Sequence, residues 1–256
     1  MTEDRLPPFF YDIFDASLPR LNAGDDASTA KALDILLALK PAPEGDLRIL
    51  DIGCGNGAPT LQVARRTNGA ITAIDNHQPF LDELQRRAAL EGFSERIEVR
   101  LMDMKSLGPD MGTFDLIWSE GALFVMGFAE GLAACRSLLV TDGRLGVSEL
   151  CWLRPDPPSE CRSFFEAAYP PMVDIPANLA IIRNAQLEVV DHFTLPESAW
   201  RDSYYRPLET RLRMLRTEYP DDPERSEMMD SIQAEIDLYR KYSSYYGYVF
   251  YLMRRP

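Results

Sequence analysis

The chain reads as an α/β fold, a parallel sheet with helices on both faces, and three features of the sequence predict it. Between Leu47 and Leu150, apolar runs of strand length alternate with stretches whose apolar residues recur every three or four positions. The first run, from Leu47 to Ile52, passes straight into glycines at 53, 55 and 57. Acids close four successive runs, Asp51, Asp75, Asp103 and Glu120, although an acid inside a buried strand is costly. Sheets of this kind have right-handed crossovers and bind ligands beyond the carboxyl ends of their strands.

Residues 1–24 gather Phe9, Phe10, Tyr11 and Phe14 among prolines, which suits a lid over a pocket or a strap on the core equally. A helix capped by Asp26 or Ser28 runs to Lys40 with Leu33, Leu36 and Leu37 on its apolar side, and Pro41 and Pro43 stop it. After the glycines a helix spans Ala58 to Arg66, with Pro59 in its first turn, and Ala70 to Asp75 is a second strand. Pro79 opens a helix that sets Leu81, Leu84 and Ala88 on one side and ends before Gly92. Ile97 to Asp103 and Phe114 to Glu120 are the third and fourth strands. Gly131 to Leu139 is helical, and a Thr-Asp-Gly turn leads into a fifth strand, Gly143 to Leu150.

Beyond Leu150 the pattern changes. Residues 153–176 are punctuated by prolines and hold one short helix, and a second helix covers Ala177 to Ala185 before a sixth strand, Leu187 to Leu195. Residues 197–244 are mostly helical, broken at Tyr219 to Pro223, and Tyr246 to Met253 is apolar on both faces, as a buried strand is. The reading is one domain over 1–256, with 1–45 as an N-terminal lid and helix and with 153–176 and 197–244 as cap insertions.

Composition excludes some functions. A net charge of −13 argues against tracking a phosphate backbone, so no nucleic-acid partner is expected. No apolar run reaches about 18 residues and no basic-then-apolar leader is present, so a cytoplasmic protein with no membrane span is expected. Cys54, Cys135, Cys151 and Cys161 form no CxxC pair and the two histidines are apart, so the thiols are expected to be reduced and no metal site is expected. Cys54 reads as a small filler beside its strand.

The glycines suit a backbone that takes positive φ and lets a ligand approach closely. Their spacing with Ala58 also meets the GxGxxG/A dinucleotide fingerprint, with Asp75 placed as the ribose acid. Asp51 discriminates between the two ligands. A carboxylate at the loop mouth suits S-adenosylmethionine, which carries a sulfonium, an ammonium and no phosphate, and repels a pyrophosphate on the same helix N-terminus.

From Leu47 to Leu150, and more loosely over the last two strands, the chain resembles the class I S-adenosylmethionine-dependent methyltransferases, in particular the small-molecule group that includes quinone and sterol enzymes. Asp51-Ile-Gly-Cys-Gly-Asn-Gly57 is similar to the first motif of that family, DxGxGxG. Ile74-Asp75 resembles its second motif, Met102-Asp103-Met104 its adenine position, and Phe114 to Ile117 with Ser119-Glu120 its fourth motif. The resemblance implies a Rossmann-like, seven-stranded mixed sheet whose last strand is antiparallel and lies next to the fifth.

It also implies roles. Gly53, Gly55 and Gly57 admit the methionine end, Asp51 faces its ammonium, Asp75 with Asn76 holds the ribose, Asp103 and Met104 hold adenine, and Ser119 lies beside the methyl. The chain reads Ser-Glu-Gly-Ala where nitrogen-directed relatives carry an NPPY-type sequence, and it lacks the acids of the metal-dependent catechol branch. The reaction expected is methyl transfer to a small-molecule acceptor. The alternatives are an NAD(P)-dependent oxidoreductase and a non-catalytic S-adenosylmethionine-binding protein. No catalytic base stands out: Glu120 and Glu149 are candidates, His77 could flank adenine, and His192 reads as a core or surface residue.

Overall fold

Strand β1, Arg48–Ile52, sits inside a seven-stranded sheet in the computed structural model, which describes residues 6–39 and 46–256. The other strands are β2 Ala70–Asp75, β3 Ile97–Leu101, β4 Phe114–Glu120, β5 Leu139–Trp152, β6 Glu188–Thr194 and β7 Tyr246–Arg254. Their order is β3-β2-β1-β4-β5-β7-β6, with β7 antiparallel to both of its neighbours and the remaining pairs parallel. This is the mixed sheet the resemblance implied. All side chains of β1 after Arg48 are buried, which is why the strand reads as a nearly unbroken apolar run.

Helices cover both faces. On one, α2 (Asp26–Leu37), α3 (Ala58–Arg66) and α4 (Gln78–Leu90) bury Leu33, Leu36, Leu61, Val63, Leu81 and Leu84 against Ile49, Trp118 and Phe250. On the other, α5 (Phe128–Leu138) and α7 (Ile175–Asn184) pack Leu132, Leu138 and Ile182 on Leu50, Ile117, Val147 and Tyr251. A third cluster builds the cap. There α1 (Pro8–Ile13), α6 (Ser159–Ala168), α8 (Glu197–Trp200), a π-helical turn (Arg201–Tyr205), α9 (Arg206–Glu218) and α10 (Pro223–Tyr242) close around Trp200, Leu208, Leu212, Ile236 and Tyr246. Trp200 stacks on Tyr239 and on Tyr248, joining cap to sheet through aromatic faces.

Several boundaries differ from those predicted. The cap of α2 is Asp25, whose carboxylate accepts from the Ser28 N–H at 2.6 Å, and not Asp26 or Ser28; the helix ends at Leu37, and the predicted stop at Lys40 to Pro43 lies outside the described residues. Helix α5 begins at Phe128, before Gly131. Strand β3 ends at Leu101, two residues short of Asp103, and α7 begins at Ile175. The largest shift is in β5, which runs from Leu139 and absorbs the Thr-Asp-Gly sequence as an irregularity with Asp142 at φ 61°. At its far end β5 reaches Trp152. Beyond Glu120, the last residue of β4, its strand partner is β7, with one isolated bridge from Trp152 to Asp174, so these two strands overhang the tip of β4.

Candidate functional site

Three loops meet at the carboxyl edge of the sheet. Gly53, Gly55 and Gly57 take φ of +67°, +52° and +86°, the left-handed region that side chains rarely enter. The N–H groups of Gly53 and Cys54 both donate to the Ile74 carbonyl, at 2.9 and 3.0 Å, and the Gly55 N–H donates to Asp75 Oδ2 at 2.9 Å. The loop after β1 is thereby wrapped around the end of β2. A Cβ on Gly53 would overlap that of Ala122 and lie 3.2 Å from Met104 Cε, so the loops after β3 and β4 close in on the same glycine.

The acids differ in their surroundings. Asp51 is 1% exposed; its Oδ2 accepts from Thr60 Oγ1 at 2.6 Å. Burial pushes its carboxyl up to about 7, the Thr60 bond opposing and the charges of Glu120 and Asp75 adding. Asp75 is raised in the same direction by burial, against bonds from the N–H groups of Gly55, His77 and Asn76. Asp103 is exposed and accepts from the Lys105 N–H at 2.8 Å. None of the three has an arginine or lysine within ion-pair distance among the described residues.

Glu120 is the exception. It is buried and ion-paired to Arg20 at 3.1 Å, and its Oε1 accepts from Thr29 Oγ1 at 2.7 Å and Trp118 Nε1 at 3.0 Å. A carboxylate so engaged has no free oxygen with which to take a proton, and Glu120 is set aside as a base.

Arg20 belongs to a segment that crosses the site. Asn56, inside the glycine loop, donates to the carbonyls of Ala16 and Leu18 at 3.0 and 2.6 Å; Arg87 of α4 also reaches the Leu18 carbonyl, at 2.9 Å. Leu21 Cδ1 lies 3.0 Å from where a Gly55 Cβ would be, and Asn22 Nδ2 donates to the Glu120 carbonyl at 2.6 Å. Further along, Tyr11 stacks on His77 with ring centroids 3.8 Å apart. Between the two alternatives for the N-terminal aromatic segment, the structure has both: Phe9, Ile13 and Phe14 pack in the cap, while residues 16–22 cover the loop. Nothing in the local sequence marks the contacts of Asn56 with Leu18 or of Arg20 with Glu120, because these partners lie 38 and 100 positions apart.

The remaining predicted residues are spread around this centre. Asn76 is exposed between Asp75 and α4. Ser119 is fully buried and donates to the Ile52 carbonyl at 2.9 Å, tying β1 to β4. His192 is an exposed residue of edge strand β6. Cys54 is buried and its thiol is held well above the ordinary range by burial, as befits a filler. Glu149 stands three residues before the end of β5, not at it; it is buried and accepts from the Tyr169 hydroxyl at 2.6 Å.

The donor set can be tested against the two ligands. Buried acids lifted by desolvation, with no cation beside them, gain from a positively charged ligand and repel a diphosphate. The positive-φ glycine loop runs between the two acids, with the Gly55 N–H bonded to Asp75. The residues fit a sulfonium and ammonium ligand and do not fit a dinucleotide.

Comparison with known proteins agrees. Residues 49–143 match a family described as a methyltransferase domain. The sterol 24-C-methyltransferase of Neurospora crassa is 26% identical over 191 residues, 71% of this chain and 50% of that protein. The ubiquinone biosynthesis O-methyltransferase of Methylocella silvestris is 32% identical over 105 residues, 41% of this chain and 40% of that one. The chain thus spans about half the length of the curated relatives it matches, or less. In fold it is similar to an S-adenosylmethionine-dependent methyltransferase from Geobacter sulfurreducens solved with S-adenosyl-L-homocysteine, with a TM-score of 0.81 and 22% identity over 98% of this chain and 99% of that one.

Proposed function

We propose, from the premise that residues 49–143 form a class I methyltransferase domain, that this chain transfers a methyl group from S-adenosyl-L-methionine to a small-molecule acceptor and releases S-adenosyl-L-homocysteine. The observation that carries the proposal is the set of desolvated, cation-free acids around the positive-φ glycines. The methyltransferase relatives and the neighbour solved with S-adenosyl-L-homocysteine support it.

The bound cofactor supplies a methyl group activated by a sulfonium. The chain does the rest. Gly53, Gly55 and Gly57 give the loop the positive φ with which it turns beside the methionine end, and Asp51 attracts its ammonium across the loop. Asp75 has lone pairs beyond those taken by the Gly55 and His77 N–H groups, and with Asn76 it holds the ribose hydroxyls. Asp103 and the Met104 backbone hold the adenine edge, and Ser119 fixes β1 against β4 beside the methyl. Residues 16–22 shield the loop from water, which strengthens each of these attractions and protects an in-line displacement from hydrolysis.

The finer reading is a cytoplasmic enzyme that acts on a free small molecule and not on nucleic acid. The four buried, unpaired cysteines and the charge of −13 support it. No helix among the described residues is long and apolar enough to cross a membrane. Calorimetric titration with S-adenosyl-L-homocysteine and with NADH tests the cofactor assignment. Binding of the first and not the second is expected; the reverse would end the proposal. Turnover is read as S-adenosyl-L-homocysteine formed over a panel of phenols, quinones, amines and thiols. Binding with no product from any of them would leave a non-catalytic binding protein.

A further inference from the structure

We propose that Glu149, oriented by Tyr169, is the base that accepts the proton of the methyl acceptor, and that the acceptor is therefore an alcohol or phenol. This rests on the methyl-transfer reading above.

Position comes first. The Gly121 N–H donates to the Ser148 carbonyl at 3.2 Å, which places Glu149 one residue along β5 from the tip of β4. The next residue of that tip, Ala122, is the one a Cβ on Gly53 would strike. A Cβ on Gly121 would lie 3.1 Å from the Tyr248 hydroxyl, so the overhanging strands β5 and β7 stand directly behind the loop that faces the glycines. Glu149 is carried on that overhang, next to the loop that follows β4.

Its bonding comes second. Glu149 is 2% exposed, and its Oε1 accepts from Tyr169 while Oε2 accepts no hydrogen bond from any described residue. A buried carboxylate kept for structure alone is met by a cation or by several N–H groups, as Glu120 is by Arg20, Thr29 and Trp118. Here the facing titratable groups are Tyr169 at the end of α6, Cys151 on β5, and Tyr248 and Tyr251 on β7, none of them cationic. Burial lifts the Glu149 carboxyl to about 7, the Tyr169 bond opposing, which is the range in which a carboxylate takes protons efficiently at neutral pH. The Tyr169 phenol is itself pushed far upward by burial and the adjoining carboxylate, so it stays protonated and donates. Phe124, whose ring meets Tyr169 edge to face at 5.7 Å, adds an apolar surface beside the pair.

The step balances. Glu149 Oε2 takes the hydroxyl proton, the acceptor oxygen's electron pair forms the new carbon–oxygen bond, and the carbon–sulfur bond breaks with its pair left on sulfur. The proton later passes from Glu149 to water. An amine already unprotonated would need no such base, and a cationic acceptor would bind the carboxylate as a counter-ion.

Three measurements on the full chain test this. The carboxylic acid stretch in the infrared should titrate near pH 7 in the wild type with contributions from Asp51 and Glu149, lose the Glu149 component and keep that of Asp51 in Glu149→Gln, and show the Glu149 component moved to higher pH in Tyr169→Phe, which removes the bond that favours the ionised form. Calorimetry with S-adenosyl-L-homocysteine should give Glu149→Gln an affinity within about twofold of wild type, which also shows that the variant is folded. With catechol, phenol and 2-naphthol as probes, and benzylamine as the contrast, product formation from the phenols should rise with pH to a plateau above 7. Glu149→Gln should lose roughly a hundredfold or more of it, the lower end of what a positioned base contributes. An infrared band unchanged in Glu149→Gln, a full rate in that variant, or product from benzylamine and from none of the phenols would overturn the assignment. Failure of the wild type to bind S-adenosyl-L-homocysteine would instead overturn the methyl-transfer reading on which it rests.

Discussion

Arg20 and Glu120 stand 100 positions apart in sequence and form a buried ion pair, Nη1 to Oε2 at 3.1 Å, that ties the N-terminal segment to the tip of β4. Arg20 also reaches Asp26 at 3.0 Å, so one guanidinium joins strap, helix α2 and sheet. Replacing it with methionine leaves the Glu120 carboxylate desolvated and without its cation. A loss of about 3 to 5 kcal/mol is expected in urea unfolding. Adding Glu120→Gln removes the stranded charge but keeps an acceptor for Thr29 and Trp118, and should recover most of that loss. A single variant within 1 kcal/mol of wild type, on the scale of an exposed pair, would show that the pair does not hold the strap.

The same pair explains where the sequence was legible and where it was not. The strands from β1 to β4 could be read because burial on both faces forces an apolar run, and the glycine loop because positive φ admits few other residues. The position of Asp75 was readable as the last residue of β2. Glu120 looked like its equivalent at the end of β4, but its character is set by Arg20 and Thr29, whose approach no local pattern encodes. Glu149 could be noticed only as an acid near a strand end; its contact with Tyr169 depends on how far β5 and β7 overhang β4. The length of β5 was itself obscured by Thr141-Asp142-Gly143, a turn-forming sequence that the sheet accommodates as a bulge.

Gly57 should tolerate substitution poorly for two separable reasons. Its φ of +86° disfavours any side chain, and a Cβ there would overlap Leu84 of α4. Gly57→Ala is expected to lower stability by about 2 to 4 kcal/mol, backbone strain and overpacking together. In the background of Leu84→Ala, which removes the nearest atom and leaves a tight Cβ contact at 3.0 Å, the same change should cost less, mainly the strain of about 1 to 2 kcal/mol. Equal costs in both backgrounds, measured by thermal or urea unfolding, would show that packing against α4 plays no part.

Asp75 is the residue on which the adenosine placement depends. Asp75→Ala removes an acceptor for the ribose and also releases the Gly55 N–H that shapes the loop. The lost charge-assisted bond is worth about 1.5 to 3 kcal/mol, so affinity for S-adenosyl-L-homocysteine should fall roughly 10- to 150-fold by calorimetry. Asp75→Asn, which keeps an acceptor oxygen, should fall less. Unchanged affinity in the alanine variant would mean the nucleoside lies elsewhere.

Asp51 predicts a pH dependence whose sign is fixed by burial. Its carboxyl is raised from 3.8 to about 7 in the folded chain, so between those values the folded state holds a proton that the unfolded state has lost. Stability contributed at this position is therefore intact below 3.8 and declines as pH rises toward 7. Ligand binding runs the other way, because the ammonium of S-adenosyl-L-homocysteine is attracted to the ionised carboxylate alone. Affinity should be about tenfold weaker at pH 6 than at pH 8, levelling above 7, since one unit below the carboxyl's midpoint only about a tenth of it is ionised. Glu149 shares the raised carboxyl but stands on β5, behind the loop that meets Gly53, so its protonation should affect stability without contributing to this binding difference. Asp51→Asn should abolish the dependence and bind at the weaker level throughout. A wild-type affinity that is flat from pH 6 to 8 would show that Asp51 does not face the ammonium, and the charge argument for a cationic ligand would fall with it.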